Sequence, residues 1–244
     1  MHVSLPVAVV ALAIGASTAA YADGYPPPYG VPYTPLSWAG YYVGTHIGGS
    51  WMHSDATWQT TIPPFPTFKA QLDSSGVIGG VQTGRNWQFG SIVLGIESDI
   101  AARHLEANGS TVVLGVLPVT LTEKQDWLGT VRGRLGYAMG SWLVYGTGGF
   151  AYGDLTHHVT ETVAGVSVLA AGPAMREGWA AGGGVEWAIN PRWSVGAEYI
   201  HVDLGSVNVA GPLGISTTRF EDQSDIVRAK LNFRFGEDRY VPLK

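Results

Sequence analysis

One stretch of the sequence, residues 127–137 (WLGTVRGRLGY), alternates between two kinds of side chain with a period of two residues. One face is apolar, aromatic or glycine, and the other carries Thr130, Arg132 and Arg134. This pattern is typical of a β-strand, because successive side chains of a strand point to opposite faces. Alternation alone leaves open which face meets water. A half-buried strand of a soluble protein and a strand of a membrane barrel read alike, and the rest of the chain has to distinguish them.

The composition favours the membrane barrel. Charged residues make up 14% of the chain, against about 25% in a typical soluble domain. The chain has 34 glycines and nine tryptophans, whereas a soluble β-protein usually places Lys and Glu on its wet face. The net charge of −5 gives no reason to expect nucleic acid as a partner, and the absence of Cys excludes disulfides and thiolate metal sites.

The first 22 residues are predicted to be a secretory signal peptide. A short apolar run over residues 5–14 precedes the sequence Ala20-Tyr21-Ala22, with cleavage expected before Asp23. A membrane anchor is the alternative, but the run is too short to span a bilayer. No other stretch has 18 consecutive apolar residues, so a membrane location would require a closed β-barrel. We further expect a Pro- and Tyr-rich periplasmic linker over residues 23–37, a barrel over 38–235 and a tail over 236–244.

Eight strand-like segments lie in the barrel region. They cover residues 38–51, 76–89, 92–103, 127–137, 142–153, 179–189, 193–204 and 224–235. Tight turns at Gly90-Ser91, Gly140-Ser141 and Asn190-Pro191-Arg192 alternate with long connections over residues 52–75, 104–123, 154–178 and 205–223. This alternation predicts an all-β fold: an eight-stranded antiparallel up-and-down transmembrane barrel with short periplasmic turns and four long extracellular loops. Local alternation within the loops predicts hairpins that extend above the membrane.

Aromatic residues cluster at the predicted strand ends. Trp and Tyr favour the boundary between membrane and water, and transmembrane barrels carry two such girdles. Ordinary core tryptophans are the alternative, but these would lie in mid-strand more often. The predicted girdle consists of Trp38, Trp51, Trp87, Trp127, Tyr137, Trp142, Trp179, Trp187, Trp193, Phe233 and Phe235.

Four segments, in this order, resemble the small outer-membrane β-barrels of Gram-negative bacteria. They are residues 38–44 (WAGYYVG), 79–87 (GGVQTGRNW), 129–137 (GTVRGRLGY) and 195–199 (VGAEY). The resemblance is to the OmpA-like "porin family" of alphaproteobacterial type and covers about residues 38–235. It implies an eight-stranded barrel in the outer membrane. Its functional implications are broader: surface antigens, envelope-stabilising proteins, small porins and, in some cases, haem binders.

Two features depart from that family pattern. The chain commonly ends on an aromatic residue that closes the last strand, whereas here Phe235 is followed by residues 236–244. Arg85 falls on the predicted lipid face, where similar sequences have an apolar or aromatic residue. A lipid-facing arginine costs up to about 2–4 kcal/mol at mid-bilayer and close to nothing near the interface. Because Arg85 lies near a short turn, we expect its head group to reach the interface.

The inward faces of this barrel would collect four acids and five bases. They are Glu97, Asp99, Glu186 and Glu198, and Arg132, Arg134, Arg228, Lys230 and Arg234. An eight-stranded barrel is only wide enough for side chains to fill it, and buried charges have to be paired. We therefore predict a salt-bridge network that plugs the interior. The alternative is a gated, ion-selective narrow pore whose charges rearrange.

The sequence offers no catalytic set. Some outer-membrane barrels are hydrolases with a His-x-Ser arrangement, which occurs here only at His2-Val3-Ser4, and the adjacent His53, Ser54 and Asp55 are poorly placed to act on one another. We predict no enzyme, no catalytic residue, no cofactor and no metal site. The long loops carry His104, His157 and His158, which could hold a metal or haem from outside, although loop histidines are more often simply exposed.

The expected function is therefore non-enzymatic, with a structural and surface-interaction role in the cell envelope. The alternatives are a narrow porin-like channel for ions or small solutes, and binding of a ligand such as haem through the extracellular loops. Expected partners are outer-membrane lipid, lipopolysaccharide and an extracellular partner that contacts the loops. The sequence leaves the oligomeric state open.

Overall fold

A computed structural model describes residues 36–60, 63, 67–113 and 117–235. The predicted signal peptide, the linker up to residue 35 and the C-terminal tail lie outside the described residues. Within the described ranges, no helix is long and apolar enough to cross a membrane.

The described chain forms one antiparallel sheet of ten strands. Their bounds are β1 Gly40–Thr60, β2 Thr67–Phe89, β3 Ile92–Val113, β4 Leu117–Met139, β5 Trp142–Asp154, β6 Thr156–Val163, β7 Val166–Ala171, β8 Met175–Ala188, β9 Trp193–Ala210 and β10 Ser216–Phe235. β1 pairs with both β2 and β10, and β3 pairs with β4, so β1–β5 and β8–β10 close into a ring. This ring confirms the predicted eight-stranded antiparallel barrel. The remaining two strands form a hairpin, in which β6 pairs with β4 beyond the end of β5.

The three predicted tight turns are present at one end of the barrel. Gly90 and Gly140 have positive φ angles of 63° and 59°, which glycine adopts without the steric cost of a Cβ. In the third turn, the Asn190 side chain accepts hydrogen bonds from the backbone N–H groups of Arg192 and Trp193 at 2.8 and 2.9 Å. Both turn chemistries are local, which is why the sequence reveals them.

The strands are much longer than predicted. A membrane-crossing strand needs about 9–11 residues, whereas β1 has 21 residues and β2 and β4 have 23 each. Most residues of the predicted long loops continue these strands or form the β6–β7 hairpin. The long connections are therefore mainly β-structure that projects away from the tight turns, in line with the hairpins expected there.

The outer surface changes character half-way along the strands. On the side of the tight turns it is an apolar belt, with exposed Val43, Ile47 and Trp51 on β1. Beyond Trp51, the outward residues of the same strand include His53 and Asp55, which are exposed and polar. The outer faces of the neighbouring strands become polar at the same height. Trp51 is opposite the polar residues Ser75 of β2 and Asp225 of β10. We call the part of the barrel beyond this boundary the extension.

The interior is filled in layers, and successive inward residues of β10 belong to most of these layers. At the tight-turn end lies an apolar cluster around Trp38, Val93 and Leu143. Above it come the charged residues, and then a second apolar cluster that includes Ile226 of β10. A polar layer containing Asp222 follows, and a third apolar cluster around Phe220 closes the series.

Small residues make room for the large interior side chains. Gly149 is paired with Arg132 on the neighbouring strand, and Gly48 is paired with Arg228. A Cβ at either glycine would collide with the backbone at its partner arginine, at Arg132 Cα in one case and Arg228 Cα in the other, both at 2.7 Å. At these two positions, glycine thus allows the backbone of the neighbouring strand, at a buried arginine, to lie close.

Trp38 corrects the predicted girdle. Its side chain is only 1% exposed, and it packs inside the tight-turn end of the barrel. Its backbone N–H donates to Gln88 Oε1 at 2.7 Å, and the Arg234 guanidinium lies 4.5 Å from its ring centre. The girdle prediction for Trp38 is therefore wrong. The residue precedes the start of β1 at Gly40, so strand alternation does not determine its direction.

Candidate functional site

All nine charged residues that the sequence predicts inside the barrel are buried, with exposed fractions of 0–6%. Eight of them form one connected set of ion pairs at the height of the outer apolar belt, which we call the charge network. Its members are Glu97, Asp99, Arg132, Arg134, Glu186, Glu198, Arg228 and Lys230.

Arg132 lies at the centre of the charge network and is fully buried. Its Nη2 atom is 2.8 Å from Glu97 Oε1 and 2.8 Å from Asp99 Oδ2, and its Nη1 atom is 3.2 Å from Glu198 Oε1. Its Nε–H donates to Thr130 Oγ1 at 2.8 Å. The guanidinium thus joins carboxylates from two strands, β3 and β9.

Two further bases, both on β10, complete the charge around these carboxylates. Arg228 is opposite Glu198 in the sheet, and its Nη2 atom is 2.7 Å from Glu198 Oε2. Its Nη1 atom is 3.2 Å from Asp99 Oδ1. Lys230 Nζ is 2.8 and 2.7 Å from the two oxygens of Glu97. Each of the three acids therefore contacts at least two bases.

The fourth acid, Glu186, forms an ion pair with Arg134 and accepts a hydrogen bond from Ser194 Oγ at 3.2 Å. The Arg134 guanidinium also lies 3.7 Å from the ring centre of Tyr145. Tyr145 donates its hydroxyl to the network, to Glu198 Oε1 at 3.1 Å. Aromatic and charged side chains thus fill the same layer.

The ninth residue, Arg234, lies nearer the tight turns. Its Nη1 atom donates to the backbone carbonyl of Ser37 at 3.0 Å, and its Nη2 atom donates to that of Asn190 at 3.2 Å. Together with its contact to the Trp38 ring, these bonds place Arg234 at the base of the barrel, below the other eight charges.

The charge network crosses the whole interior. Its acids come from β3, β8 and β9, and its bases come from β4 and β10. Four acids balance four bases, and an apolar cluster packs on each side of the layer. Buried ion pairs are tolerated only when their charges are well matched and hydrogen-bonded. The arrangement can hold the strands together and block the interior.

A second buried polar group lies in the extension, and the sequence analysis did not predict it. Glu123 of β4 is directly opposite His157 of β6, and Glu123 Oε1 lies 3.7 Å from His157 Nε2. Asp222 Oδ1 of β10 lies 3.1 Å from the same nitrogen and accepts a hydrogen bond from Ser54 Oγ at 2.7 Å. The Arg176 Nη1 atom is 3.4 Å from Asp222 Oδ2. We call Glu123, His157 and Asp222 the extension cluster.

The carboxyl group of Glu123 is in an unusual environment. Burial raises the pKa of Glu123 to about 8, and the nearby Asp222 carboxylate adds to this rise against the opposing effects of Ser54, Arg103 and Arg176. Within the described ranges, neither oxygen of Glu123 accepts a hydrogen bond. The Ser54 hydroxyl is close by, but its one proton is donated to Asp222.

The three histidines that the sequence singles out are not brought together. His104 is exposed on the outer face, where its Nδ1 atom is 3.0 Å from Asp126 Oδ1. His158 is half-buried, and His157 is fully buried and faces inward. The suggested set of three loop ligands is therefore wrong as a set. Alternation over residues 156–163 indicates the inward direction of His157, but the long connection predicted over residues 154–178 includes these residues.

The remaining girdle residues lie on the outside of the barrel, half-buried or exposed. Near the tight turns, the Phe233 ring packs against Trp193 with 5.0 Å between the ring centres. Arg85 is also on the outside, where its guanidinium lies 4.7 Å from the ring centre of Tyr41 and 4.9 Å from that of Trp87. Two outward aromatic rings, those of Tyr41 and the girdle residue Trp87, thus contact the outward arginine.

A closed eight-stranded ring with an apolar outer belt is the architecture of a transmembrane barrel. In agreement, a family model described as "Outer membrane protein beta-barrel domain" matches residues 8–235. The chain belongs to this family. It is an outer-membrane β-barrel protein, as the sequence motifs indicated, and its tight turns face the periplasm while the extension lies outside the cell.

Relatives of this outer-membrane barrel come from alphaproteobacteria. The 31 kDa outer-membrane immunogenic protein of Brucella melitensis is 32% identical over 215 residues, which are 85% of this chain and 88% of the relative. The 22 kDa outer membrane protein of Rhizobium leguminosarum is 32% identical over 170 residues, covering 70% and 66% of the two chains. Among solved structures, OprG from Pseudomonas aeruginosa is 14% identical and covers 81% of this chain and 97% of its own, with a TM-score of 0.46.

Proposed function

We propose that this protein is a non-enzymatic outer-membrane barrel with a closed interior, whose extension serves as an interaction surface outside the cell. One observation carries the closed interior: the charge network joins five strands through matched, buried ion pairs. Moving ions through this layer would require breaking several of these pairs in a dry environment. Such a step is costly, because a buried charge that loses its partner is strongly unfavourable.

The proposed surface role rests on the shape and polarity of the extension. Its strands continue well beyond a membrane crossing, and its outer face carries polar side chains on several strands. Loops and projections on a rigid scaffold commonly carry binding functions. Two Brucella relatives are named outer-membrane immunogenic proteins. The word immunogenic in those names is consistent with an exposed extension in this protein.

The apolar belt and the polar extension would have different surroundings in the outer membrane. Lipid tails would cover the apolar belt, and the sugars of lipopolysaccharide would surround the base of the polar extension. An extracellular macromolecule would then contact the part of the extension that rises above these sugars.

The arrangement of the polar side chains also supports a non-enzymatic role. His53, Ser54 and Asp55 are adjacent in sequence but point alternately outward and inward. His53 faces out and lies 2.8 Å from Asp73 Oδ1, whereas Ser54 faces in and is bonded to Asp222. A nucleophile and its base must be within hydrogen-bond reach of each other. Opposite faces of one strand do not provide this geometry.

Conductance distinguishes the closed barrel from the narrow channel. The full-length protein is reconstituted into planar lipid bilayers, and folding is verified by gel mobility with and without boiling. We expect no stable channel steps from the wild type. The double variant Arg132→Ala/Glu198→Ala, which removes one acid and one base from the layer, should stay silent as well, because apolar clusters still fill the interior on both sides of that layer. The control is Arg85→Ala, which removes an arginine from the outer face and should stay silent.

Stable conductance steps in the wild type that change when Arg132 or Glu186 is altered would contradict the closed barrel and establish the channel. A silent wild type together with a conducting double variant would show that the charge network alone, without the apolar clusters, blocks the interior.

A further inference from the structure

The extension cluster has the composition of a metal site. We propose that Glu123, His157 and Asp222 bind one divalent transition-metal ion, with Zn²⁺ as the best match, inside the extension. The inference requires only the geometry of the extension, so it stands or falls independently of whether the barrel conducts.

The distances within the cluster fit a zinc ion. The three ligand atoms all lie within 4.8 Å of one another, with 3.1 Å between His157 Nε2 and Asp222 Oδ1 and 3.7 Å between His157 Nε2 and Glu123 Oε1. Zinc binds nitrogen and oxygen ligands at about 2.0–2.2 Å with tetrahedral geometry, which puts neighbouring ligand atoms roughly 3.3–3.5 Å apart. The separations of His157 Nε2 from Asp222 Oδ1 and from Glu123 Oε1 are already close to this spacing, and side-chain rotation would bring the two carboxylate oxygens to it as well.

The ligand types also indicate the class of metal. One imidazole with two carboxylates suits Zn²⁺ or a neighbouring first-row ion better than Ca²⁺ or Mg²⁺, which prefer oxygen ligands alone. The three ligands come from β4, β6 and β10. A bound ion would therefore join the β6 hairpin to two strands of the ring, and water would supply the fourth ligand.

The charge balance supplies an independent argument. The interior of the extension contains three buried acids, Glu123, Glu161 and Asp222, and two buried arginines nearby: Arg176 is paired with Asp222, and Arg103 donates to Ser50 Oγ. Within the described ranges, no Lys or Arg lies within ion-pair distance of Glu123. Both of its oxygens are also without a hydrogen-bond donor there, although the side chain is fully buried. A buried carboxyl group without a partner either keeps its proton or coordinates a metal, and a bound cation would supply the partner that Glu123 lacks.

Apolar clusters above and below isolate the cluster from water. The Phe220 ring lies 4.2 Å from the His157 ring, centre to centre, on the side of the upper cluster. Such a dry shell favours retention of an ion once it is bound. Because these clusters also limit access to the site, zinc could bind by two routes: by entering the folded barrel or by being captured during folding.

Zinc binding to the full-length protein in detergent micelles is the direct test. Metal-free protein is titrated with Zn²⁺ by calorimetry, and a second sample is refolded with Zn²⁺ and analysed for bound metal after dialysis. We expect one equivalent by at least one route. Glu123→Gln and Asp222→Asn should each weaken binding by at least about tenfold, because each replaces a carboxylate ligand with a neutral amide that binds Zn²⁺ weakly. The matched control is His158→Ala, which removes the adjacent histidine on the opposite face of β6 and should bind as the wild type does.

Surface binding has its own control. His104 and Asp126 form an exposed pair that could attract zinc, so His104→Ala is measured in parallel. If neither route yields saturable binding of one equivalent, the proposal is wrong. It is equally wrong if His104→Ala abolishes binding while Glu123→Gln and Asp222→Asn leave it unchanged.

A gain-of-signal variant covers the case in which ligand removal impairs folding. The chain has no Cys, so His157→Cys introduces a single thiol. Thiolates are good ligands for zinc-like ions. Co²⁺ bound to this variant should show a thiolate-to-metal charge-transfer band that the wild type lacks. A folded His157→Cys barrel without this band in excess Co²⁺ would overturn the proposed site.

Discussion

Replacing Arg132 by alanine should destabilise the barrel by about 3–5 kcal/mol, the cost of breaking a buried ion pair by removing one partner. The structure puts Arg132 at the upper part of this range. The side chain is fully buried and contacts three carboxylates, those of Glu97, Asp99 and Glu198, at 2.8, 2.8 and 3.2 Å. Its loss leaves the charge network with four acids and three bases in a layer that water does not reach.

The assay is equilibrium unfolding in guanidinium, with the protein in lipid vesicles and tryptophan fluorescence as the signal. Arg85→Ala is the matched control. Arg85 is exposed between the rings of Tyr41 and Trp87 near the tight turns, so its removal should cost less than about 1 kcal/mol. A double-mutant cycle of Arg132→Met and Glu97→Gln should give a coupling of about 0.5–3 kcal/mol, because the two side chains share one interaction.

Two results would refute this reasoning. The first is a loss of less than about 1 kcal/mol for Arg132→Ala, which would mean that the remaining bases or water compensate the carboxylates. The second is an equal loss for Arg85→Ala, because the effect would then follow from removing any arginine, whatever its burial.

Three further predictions concern other layers. Trp38→Ala should cost about 3–5 kcal/mol in the same unfolding assay, because a large side chain is removed from a packed interior. Gly149→Ala should cost about 1–3 kcal/mol through a clash with the backbone at Arg132, whereas the outward Gly133→Ala has space for its methyl group and should be nearly neutral. Zinc affinity measured by calorimetry should fall as the pH is lowered below about 8, because the metal has to displace a proton from Glu123, whose pKa is raised by burial.

The sequence predicted the membrane half of the barrel well, because one pattern governs it. Apolar residues alternate outward on β10 at Val227, Leu231 and Phe235, and the charges lie between them. Which acid meets which base could not be read. Glu97 on β3 is opposite Arg132 on β4. The sequence predicts a long connection between these two strands, and alternation alone does not set the register across it.

The sequence predicts long connections with short hairpins, rather than continuous strands, in the extension because the polarity of the strands inverts there. On β1, the apolar positions are odd-numbered in the membrane half, as at Ile47 and Trp51, and even-numbered in the extension, as at Ala56 and Trp58. The strand itself continues without a break. In the sequence, a reversal in the alternation of apolar and polar residues resembles the end of a strand. The inward direction of His157 and its partners is therefore not predicted.

The inversion has a physical cause and separates the roles of the two buried polar layers. In lipid the outer face must be apolar, so the charges lie inside and must neutralise one another completely. Above the membrane the outer face can be polar, and apolar clusters fill most of the interior. The polar surface there does not require acids to lie inside the barrel. The lower layer has matched every acid with a base, and a ligand could enter only by breaking these pairs. The extension cluster has a carboxylate that lacks such a match, beside a histidine and a second acid. Of the two layers, it is therefore the extension cluster that has ligand capacity to spare for a cation.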